Sequence, residues 1–298
     1  MSDTKVYLLD GGTLVIDGFH AFWNRGPGGE LRFPCYAVLI EHKDGRYMFD
    51  TGYDFDHVMR VLPFEKPVQD AGQTIPGQLA KLGLKSSDIN YVINSHYHFD
   101  HCGGNKHLHE ACTICHTREL EASGNCQPFE HLGYSDLTFA PEIARKKGVQ
   151  LPPDPALDMY TPRFETLTGD QEIARKKGVQ LPPDPALDMY TPKFQTLTGD
   201  QEIAKGLWLF ETPGHTAGHY SLLVELANRR PMLFTADACY SKKNMDMMCI
   251  SSFHLDPTAS LNSMKRLKEL AAKHDAELFY SHDPESFTTY QTGTAYYE

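Results

Sequence analysis

The sequence has no excess of positive charge. Its 28 lysines and arginines stand against 39 aspartates and glutamates, which gives a net charge of -11. We also find no stripe of basic residues with interleaved aromatics. Because proteins that bind nucleic acids neutralise phosphates with lysine and arginine, we expect no nucleic acid as a partner.

Long apolar runs are missing as well. No segment approaches the roughly 18 apolar residues of a membrane-spanning helix, and the opening stretch MSDTKVYLLDGG carries charges where a signal peptide needs an apolar run. We therefore expect a cytoplasmic protein without membrane contact. The seven cysteines are odd in number and lack the spacing of a disulfide framework, which agrees with a reducing compartment. We expect a structural role for the isolated pair Cys112 and Cys115.

Strand and helix patterns alternate through both halves of the chain. Two β-rich runs meet at Lys43-Asp44-Gly45, which predicts a hairpin. With 298 residues and 41% apolar composition, the chain can bury a large core. We predict an α/β fold in a single domain over residues 1–298. A late stretch, SLNSMKRLKELAAKH, has apolar side chains along one helical side: Leu261, Met264, Leu267 and Leu270.

One segment of the chain is present twice. Residues 142–170 recur at 172–200, with Lys193 in place of Arg163 and Gln195 in place of Glu165. Two copies are too few for a solenoid, and the EIA triplets at the junctions indicate an unequal recombination or a sequence-assembly artefact. Because the second copy runs directly into the following strand, we expect it to keep the ordinary chain path. The insertion should lie between the two halves, near the mouth of the site.

Metal-binding side chains follow four predicted strand ends. The stretch NSHYHFDHCGGN comes directly after the apolar run Tyr91-Val92-Ile93, and later strands end near TPGHTAGH, FTADACY and YSHD. Residues just past strand ends converge at one edge of an α/β sheet. Imidazole and carboxylate donors suit zinc or a similar divalent metal, and these donors exceed the needs of one tetrahedral ion. They are enough for two ions: His96, His98, Asp100, His101, His215, Asp237 and His282.

This donor pattern resembles that of the metallo-β-lactamase superfamily, over nearly the whole chain apart from one copy of the repeat. The resemblance implies a four-layer αβ/βα sandwich with a centre of two zinc ions at one edge. The first metal would be held by His96, His98 and His215, and the second by Asp100, His101 and His282, with Asp237 as a bridge. Tyr240, three residues after the bridge in DACY, resembles a tyrosine of the lactonase branch that contacts the substrate carbonyl.

Stretches outside the metal donors resemble a narrower group, the 4-pyridoxolactonases. They include FWNRGPGGE, DTGYDFDHVMRVLPFEKP, QPFEHLGYSDL and GHYSLLVE. This resemblance implies a zinc-dependent hydrolase that opens the small lactone 4-pyridoxolactone to 4-pyridoxate, a step of vitamin B6 degradation. Two alternatives stay open. An N-acyl homoserine lactonase would share every metal donor and Tyr240, and so would a metal-binding scaffold inactivated by the duplication.

The resemblance also implies how such an enzyme works. Two bound metal ions would supply a water activated near neutral pH as the nucleophile, the hydroxyl of Tyr240 would stabilise the oxyanion, and Asp100 would carry a proton to the leaving oxygen. Asp50, in MFDTG at a strand end, is either the partner of a ligand histidine or a turn-stabilising residue. We expect His219, four residues after His215, beside the site without a coordinating role.

Three loop residues are candidates for substrate contacts. Trp23 lies in a stretch rich in glycine and proline, where its ring suits stacking on a flat ligand, although packing is the commoner role. Arg25 would meet a substrate oxygen, and His131 in FEHLGY is a further candidate. Both are otherwise solvated surface residues. The sequence leaves the oligomeric state open, a homo-oligomer included.

Overall fold

The structure is a computed structural model that describes residues 4–136 and 193–298. In these ranges the chain forms eleven strands: β1 (Lys5–Asp17), β2 (Glu30–His42), β3 (Gly45–Phe49), β4 (Tyr91–Ile93), β5 (Cys112–His116), β6 (Phe194–Leu197), β7 (Gln201–Ala204), β8 (Leu207–Glu211), β9 (Tyr220–Val224), β10 (Met232–Phe234) and β11 (Glu277–Phe279). The same ranges contain eight α-helices: α1 (Gly18–Ala21), α2 (Phe55–Val61), α3 (Ile75–Lys81), α4 (Phe99–Cys102), α5 (Thr117–Gly124), α6 (Lys242–Met247), α7 (Pro257–His274) and α8 (Pro284–Phe287). Among the short 3₁₀ helices, three border the site described below: Pro63–Glu65, Gly133–Ser135 and Ala236–Ala238.

The strands form two sheets. Their orders are β1-β2-β3-β4-β5-β6 and β11-β10-β9-β8-β7. Strands β2 and β3 pair antiparallel, with His42 opposite Gly45, so the hairpin predicted at Lys43-Asp44-Gly45 is confirmed. Strands β3 to β6 run parallel to one another, and β10 runs parallel to β11. The carboxyl ends of neighbouring parallel strands therefore lie side by side.

Helices cover the outer face of each sheet. Helix α3 packs on the first sheet through Ile75 and Leu79, and α7 packs on the second sheet through Met264, Leu267 and Leu270. The predicted four-layer αβ/βα sandwich is confirmed. The inner faces of the two sheets meet in a core that includes Val38, Ile93, Leu222, Phe234 and Phe279.

Helix α7 shows why its sequence folds as predicted. The side chain of Asp256 caps its first turn by accepting hydrogen bonds from the backbone N–H groups of Thr258 and Ala259, which satisfies donors that a helix start leaves free. Pro257 occupies the first turn, where its missing N–H costs nothing. Asp275, in the left-handed conformation, ends the helix.

The end of the duplicated segment lies inside the described residues. Residues 193–200 belong to the second copy, and within them Phe194–Leu197 forms β6, the edge strand that pairs with β5. The chain then continues into β7 at the edge of the second sheet. The expectation that the second copy keeps the ordinary chain path stays a prediction. The first copy and the rest of the second lie outside the described residues.

All seven cysteines lie in the described ranges and are free thiols. Cys115 is buried in β5, and Cys112, at the start of the same strand, is partly exposed, which suits the structural role expected of the pair. In residues 4–136 and 193–298, no helix combines the length and apolar character needed to cross a membrane.

Candidate metal centre

The predicted metal donors meet at one edge of the two sheets. His96 and His98 follow β4, and the short helix α4 carries Asp100 and His101. The other three donors follow separate strands of the second sheet. These are His215 after β8, Asp237 in the 3₁₀ helix after β10, and His282 after β11.

Three histidines form what we call the first pocket. Nε2 of His215 lies 3.2 Å from Nε2 of His96 and 3.0 Å from Nδ1 of His98. A tetrahedral zinc ion with Zn–N bonds of about 2.0–2.1 Å separates its ligand nitrogens by about 3.3 Å, so this spacing suits one ion. The backbone carbonyl of Phe253 holds Nδ1 of His215, and Oγ of Ser95 lies 2.9 Å from Nδ1 of His96.

Two histidines and two aspartates form the second pocket. Nε2 of His101 lies 3.3 Å from Nε2 of His282, and both nitrogens lie 3.1 Å from Oδ1 of Asp237. Oδ2 of Asp100 is 3.7 Å from the His101 nitrogen and 3.5 Å from the His282 nitrogen. Oδ2 of Asp237 lies 3.3 Å from Nε2 of His215 in the first pocket. The two Asp237 oxygens thus face different pockets, which suits the predicted bridge.

These donor atoms are close together without satisfying one another. Oδ1 of Asp237 is buried and makes no hydrogen bond of acceptable geometry to the described residues, despite its two histidine neighbours. Buried polar atoms normally have a hydrogen-bond partner, and each such atom without one needs an explanation. A divalent cation provides it, since imidazole nitrogens and carboxylate oxygens are zinc ligands. The residues present therefore fit two zinc ions.

A glycine gives the ring of His98 its space. Nδ1 of this ring faces the first pocket, and the opposite side of the ring lies against Gly133. A Cβ atom built on Gly133 would lie 2.6 Å from Nε2 of His98, closer than any real contact. The 3₁₀ helix Gly133–Ser135 can therefore approach the histidine only because this position has no side chain.

The protonation of the ligand histidines differs between the pockets. Burial lowers the pKa of His96 and His98 well below the usual value, and it also lowers that of His215. Burial opposes protonation of His101 and His282 too, but the charges of Asp237 and Asp100 and the close polar contact with Asp237 together outweigh it and raise both pKa values. The histidines of the first pocket are thus neutral.

Asp50 orients a ligand of the second pocket. Its Oδ2 lies 2.8 Å from Nδ1 of His101. Its Oδ1 accepts a hydrogen bond from the backbone N–H of Ser95, and its Oδ2 accepts one from the Ser95 hydroxyl, both at 2.7 Å. The backbone of Asp50 has a φ of +53°, a left-handed conformation that is uncommon outside glycine. Of the two roles considered for Asp50, this contact supports that of partner to a predicted ligand histidine.

Tyr240 stands between the two pockets. Its ring centroid lies 6.0 Å from that of His215 and 5.0 Å from that of His282. Burial, followed by the charge of Asp237, raises the pKa of the Tyr240 hydroxyl well above its usual value. The hydroxyl is therefore protonated at neutral pH and can donate a hydrogen bond at the junction of the pockets.

Two further residues support the centre. His219 lies beside the centre, as expected, and both of its ring nitrogens have protein partners: its Nε2 accepts a hydrogen bond from the backbone N–H of Asp237 at 3.0 Å, and its Nδ1 lies 2.8 Å from Oγ1 of Thr212. Cys35 received no role from its sequence. Its thiol belongs to a group with Asp100 and His282 whose ligand atoms lie within 4.8 Å of one another. A single cysteine within strand β2 has no local pattern that would indicate this contact.

A cavity of about 610 Å³ adjoins both pockets. His98 of the first pocket, Asp100 of the second, and Tyr240 line its inner end. Most of the remaining described wall is apolar, with these residues: Val15, Ile16, Phe33, Leu62, Phe64, Phe99, Phe129, Leu132 and Phe253.

The candidate substrate contacts lie beside this cavity. Trp23 packs edge-on against the cavity residue His254, with ring centroids 4.5 Å apart. Arg25 donates a hydrogen bond to the carbonyl of Met247, and His131 is exposed next to cavity residues. None of the three candidates is among the described residues that line the cavity, and their roles in substrate binding stay predictions.

Comparison with known proteins agrees with this centre. The family model of the metallo-beta-lactamase superfamily matches residues 31–282. The chain belongs to the metallo-β-lactamase superfamily. The match spans every predicted metal donor, from His96 to His282, together with Tyr240.

Individual members of the superfamily resemble the whole chain. The N-acyl homoserine lactonase AttM of Rhizobium radiobacter is 27% identical over 304 residues, with 100% of both chains covered. A crystal structure of an N-acyl homoserine lactone hydrolase with the product N-hexanoyl-L-homoserine at its catalytic metal centre matches with a TM-score of 0.73 at 24% identity and covers 98% of each chain. AidC, a dizinc quorum-quenching lactonase, matches with a TM-score of 0.63 at 16% identity, over 95% of this chain and 88% of AidC. The two structures show a shared fold.

Proposed function

We propose that this chain is a metal-dependent lactone hydrolase. One observation carries the proposal: a two-pocket metal centre lies at the inner end of a largely apolar cavity of about 610 Å³. Cavities of this size bind small organic molecules. Membership of the metallo-β-lactamase superfamily supports hydrolysis, and the likeness to AttM over the full chain supports a lactone as the substrate.

The chain would hold two zinc ions. His96, His98 and His215 would bind one, and Asp100, His101 and His282 the other, with Asp237 shared between them. When bound, such a pair supplies a water activated near neutral pH and a Lewis acid for the ester carbonyl.

Tyr240 would stabilise negative charge on the lactone carbonyl oxygen. Its hydroxyl is protonated, and its ring lies between those of His215 and His282, one from each pocket. A well-placed donor of this kind lowers the barrier by about 3–4 kcal/mol. The ring of Tyr240 is packed between the two imidazoles, so the donor is oriented before the substrate arrives.

Asp100 would deliver a proton to the ring oxygen that leaves. It lines the cavity as well as the second pocket, so one carboxylate faces both the metal and the substrate. Ring opening converts the ester into a carboxylate and a hydroxyl group, and that hydroxyl needs one proton. The attacking water loses this proton, and the free oxygen of the Asp100 carboxylate can accept it and pass it to the leaving oxygen.

N-acyl homoserine lactones are the first candidate substrates. Their apolar acyl chain requires an apolar channel next to the metal centre, and the described cavity wall is rich in aromatic and aliphatic side chains. AttM, similar over its full length, is such a lactonase.

The bicyclic lactone 4-pyridoxolactone is the second candidate. A group of aromatic rings on one side of the cavity favours a flat substrate: Phe253 and His254 line this wall, and Trp23 packs behind His254. His20 lies in the same wall, with its ring 5.3 Å from that of Phe253. The sequence stretches outside the metal donors also favour this substrate.

We also propose a cytoplasmic location. All seven cysteines are free thiols, and such a set is typical of proteins in a reducing compartment.

The decisive experiment is a comparison of substrates on the zinc-loaded protein. The substrates are N-hexanoyl and N-decanoyl homoserine lactone and 4-pyridoxolactone. Their hydrolysis would be measured, with and without a chelator, from the protons that the reaction releases. We expect chelator-sensitive opening of at least one of these lactones. A variant without residues 142–171 is the matched control for the duplication. If neither the full chain nor this variant opens any of the three, the proposed function is wrong.

A further inference from the structure

Glu65 is an acid in an apolar part of the cavity wall. It ends the 3₁₀ helix Pro63–Glu65 and lines the cavity beside Leu62 and Val15. Only 8% of its surface is exposed, whereas 62% of the surface of its neighbour Phe64 is exposed. This turn therefore points an acid inward and leaves an aromatic ring to solvent, which reverses the usual preference of both residue types.

The carboxyl group of Glu65 has no partner in the part of the chain that the structure describes. Its Oε2 is buried and makes no hydrogen bond. Burial, followed by the charge of Asp100, raises the pKa of Glu65 to about 8. The group is therefore mostly protonated at neutral pH and can both donate and accept a hydrogen bond.

A second buried glutamate shows how this fold treats an acid that has only a structural role. Glu119 is fully buried, and its carboxylate accepts three hydrogen bonds. The donors are the backbone N–H groups of Tyr97 and Gly218, at 3.0 and 3.1 Å, and the hydroxyl of Tyr134, at 2.7 Å. Glu65 has none of these arrangements, although leaving a buried polar group without a partner is costly.

The position of Glu65 indicates which part of a ligand it would meet. Asp100, Tyr240 and Glu65 line the same cavity, and the charge of Asp100 acts on Glu65. The acid thus shares one cavity with the candidate metal donor Asp100 and with Tyr240, and a ligand that fills this cavity can meet all three. The wall beside it, at Leu62 and Val15, is apolar.

We propose that Glu65 is a specificity residue, which hydrogen-bonds an N–H or O–H group attached to or next to the lactone ring. This inference rests on the proposed lactone hydrolysis. In an N-acyl homoserine lactone the group is the amide N–H, and in 4-pyridoxolactone it is the ring hydroxyl. Lactones without such a group leave the acid unpaired in the complex and are therefore disfavoured.

The test uses pairs of ligands that differ only in this group. One pair is N-hexanoyl homoserine lactone and α-(2-oxoheptyl)-γ-butyrolactone, in which a CH2 group replaces the amide N–H, and the other is 4-pyridoxolactone and its analogue without the ring hydroxyl. The zinc-loaded wild type would be compared with Glu65→Leu, which removes the polar group, and with Glu65→Gln, which keeps it. In the pair that contains the true substrate, we expect Glu65→Leu to lower kcat/KM by about 10- to 100-fold for the compound that carries the N–H or O–H group. Its counterpart without this group should be unaffected or improved, and Glu65→Gln should retain most activity.

Binding and stability measurements separate this role from a structural one. Calorimetric titration with the ring-opened hydroxy acids measures recognition without catalysis, so it tests Glu65 even if no lactone is hydrolysed. Glu65→Leu should weaken binding only of the hydroxy acid that carries the N–H or ring O–H group, and it should keep both zinc ions. It should also raise Tm, because it removes the unpaired buried carboxyl group of Glu65. Equal losses for both members of each pair, or no loss for either polar member, would overturn the assignment.

Discussion

The two metal pockets differ in how they present their ligands. The first pocket gathers three neutral histidines, of which His215 is fixed by a backbone carbonyl and His96 lies next to Ser95. The second pocket places His101 and His282 among carboxylates. Asp50 holds the far side of His101, and the carbonyl of Pro34 lies 2.9 Å from Nδ1 of His282.

This difference shows that one fold uses two ways to prepare a cation site. In the first pocket, burial, reinforced by neighbouring histidines, keeps the imidazoles unprotonated and available as ligands. In the second, negative charge attracts a cation, but it also raises the pKa of the histidines, so protons compete with the metal. Asp237 links the two pockets, because each of its oxygens faces one of them.

Replacing the shared ligand should abolish the difference between the pockets. In Asp237→Ala both pockets lose a carboxylate oxygen, and we expect zinc affinity to fall by more than about 100-fold. The reason is that even the loss of a residue that only orients a ligand costs about 10–100-fold. Metal content by mass spectrometry after dialysis checks this. Two tightly bound zinc ions in the variant would contradict the role of Asp237 as a bridge.

Removing the hydroxyl between the pockets should leave both of them intact. We expect Tyr240→Phe to lower kcat by about 100-fold, as for the loss of one oxyanion donor, with two zinc ions still bound. Steady-state kinetics and metal analysis of the same sample measure both effects. Tyr47→Phe is the matched control, because Tyr47 stacks on Tyr91 at the start of β4, whereas the metal donors follow the other end of that strand. Loss of metal from Tyr240→Phe would mean that the tyrosine supports the ligands instead.

Substitution of Asp50, which contacts His101 of the second pocket, should make the zinc affinities of the two pockets differ more. Asp50→Ala leaves Nδ1 of His101 without its partner, so zinc affinity of the second pocket should fall by about 10–100-fold. The first pocket should keep its ion, since none of its three histidines contacts the Asp50 side chain directly. Titration of the apoprotein with cobalt(II), followed by its visible absorption, counts the two sites separately. Equal weakening of both sites would show that Asp50 supports the whole centre through Ser95.

The smallest loss of activity is expected for substitution of His219, which contacts the backbone of Asp237. His219 accepts a hydrogen bond from the backbone N–H of Asp237. In His219→Gln the amide oxygen can replace this acceptor only in part, and we expect kcat/KM to fall by about tenfold or less. The critical comparison is between variants with and without a hydrogen-bond acceptor at position 219. His219→Ala, which offers no acceptor, should be more impaired than His219→Gln.

The sequence locates the cluster of predicted metal donors because its signal is local. His96, His98 and His101 lie within six residues after one strand, and the remaining donors each follow a strand of clear apolar pattern. The order of the strands brings all of them to one edge. The hairpin at Lys43-Asp44-Gly45 was predictable for the same reason, since turn chemistry and flanking strands are contiguous.

Other parts of the site depend on contacts between distant segments. Cys35, Glu65 and Gly133 are ordinary residues in their local sequence, and their positions beside the centre arise only when separate loops and strands pack together. The direction of a loop is equally hard to predict. Trp23 lies next to the cavity, but its ring packs behind His254 instead of lining the wall.

This position gives the protein an optical reporter. The chain has two tryptophans; one is Trp23, and the other, Trp208, packs on the outer face of the second sheet with Phe210. Indole emission responds to polarity and to nearby imidazole groups, so a ligand that displaces water beside His254 should change the fluorescence of Trp23 and not that of Trp208. Substitution of Trp208 by phenylalanine would therefore leave a single emitter with which filling of the cavity can be followed in real time.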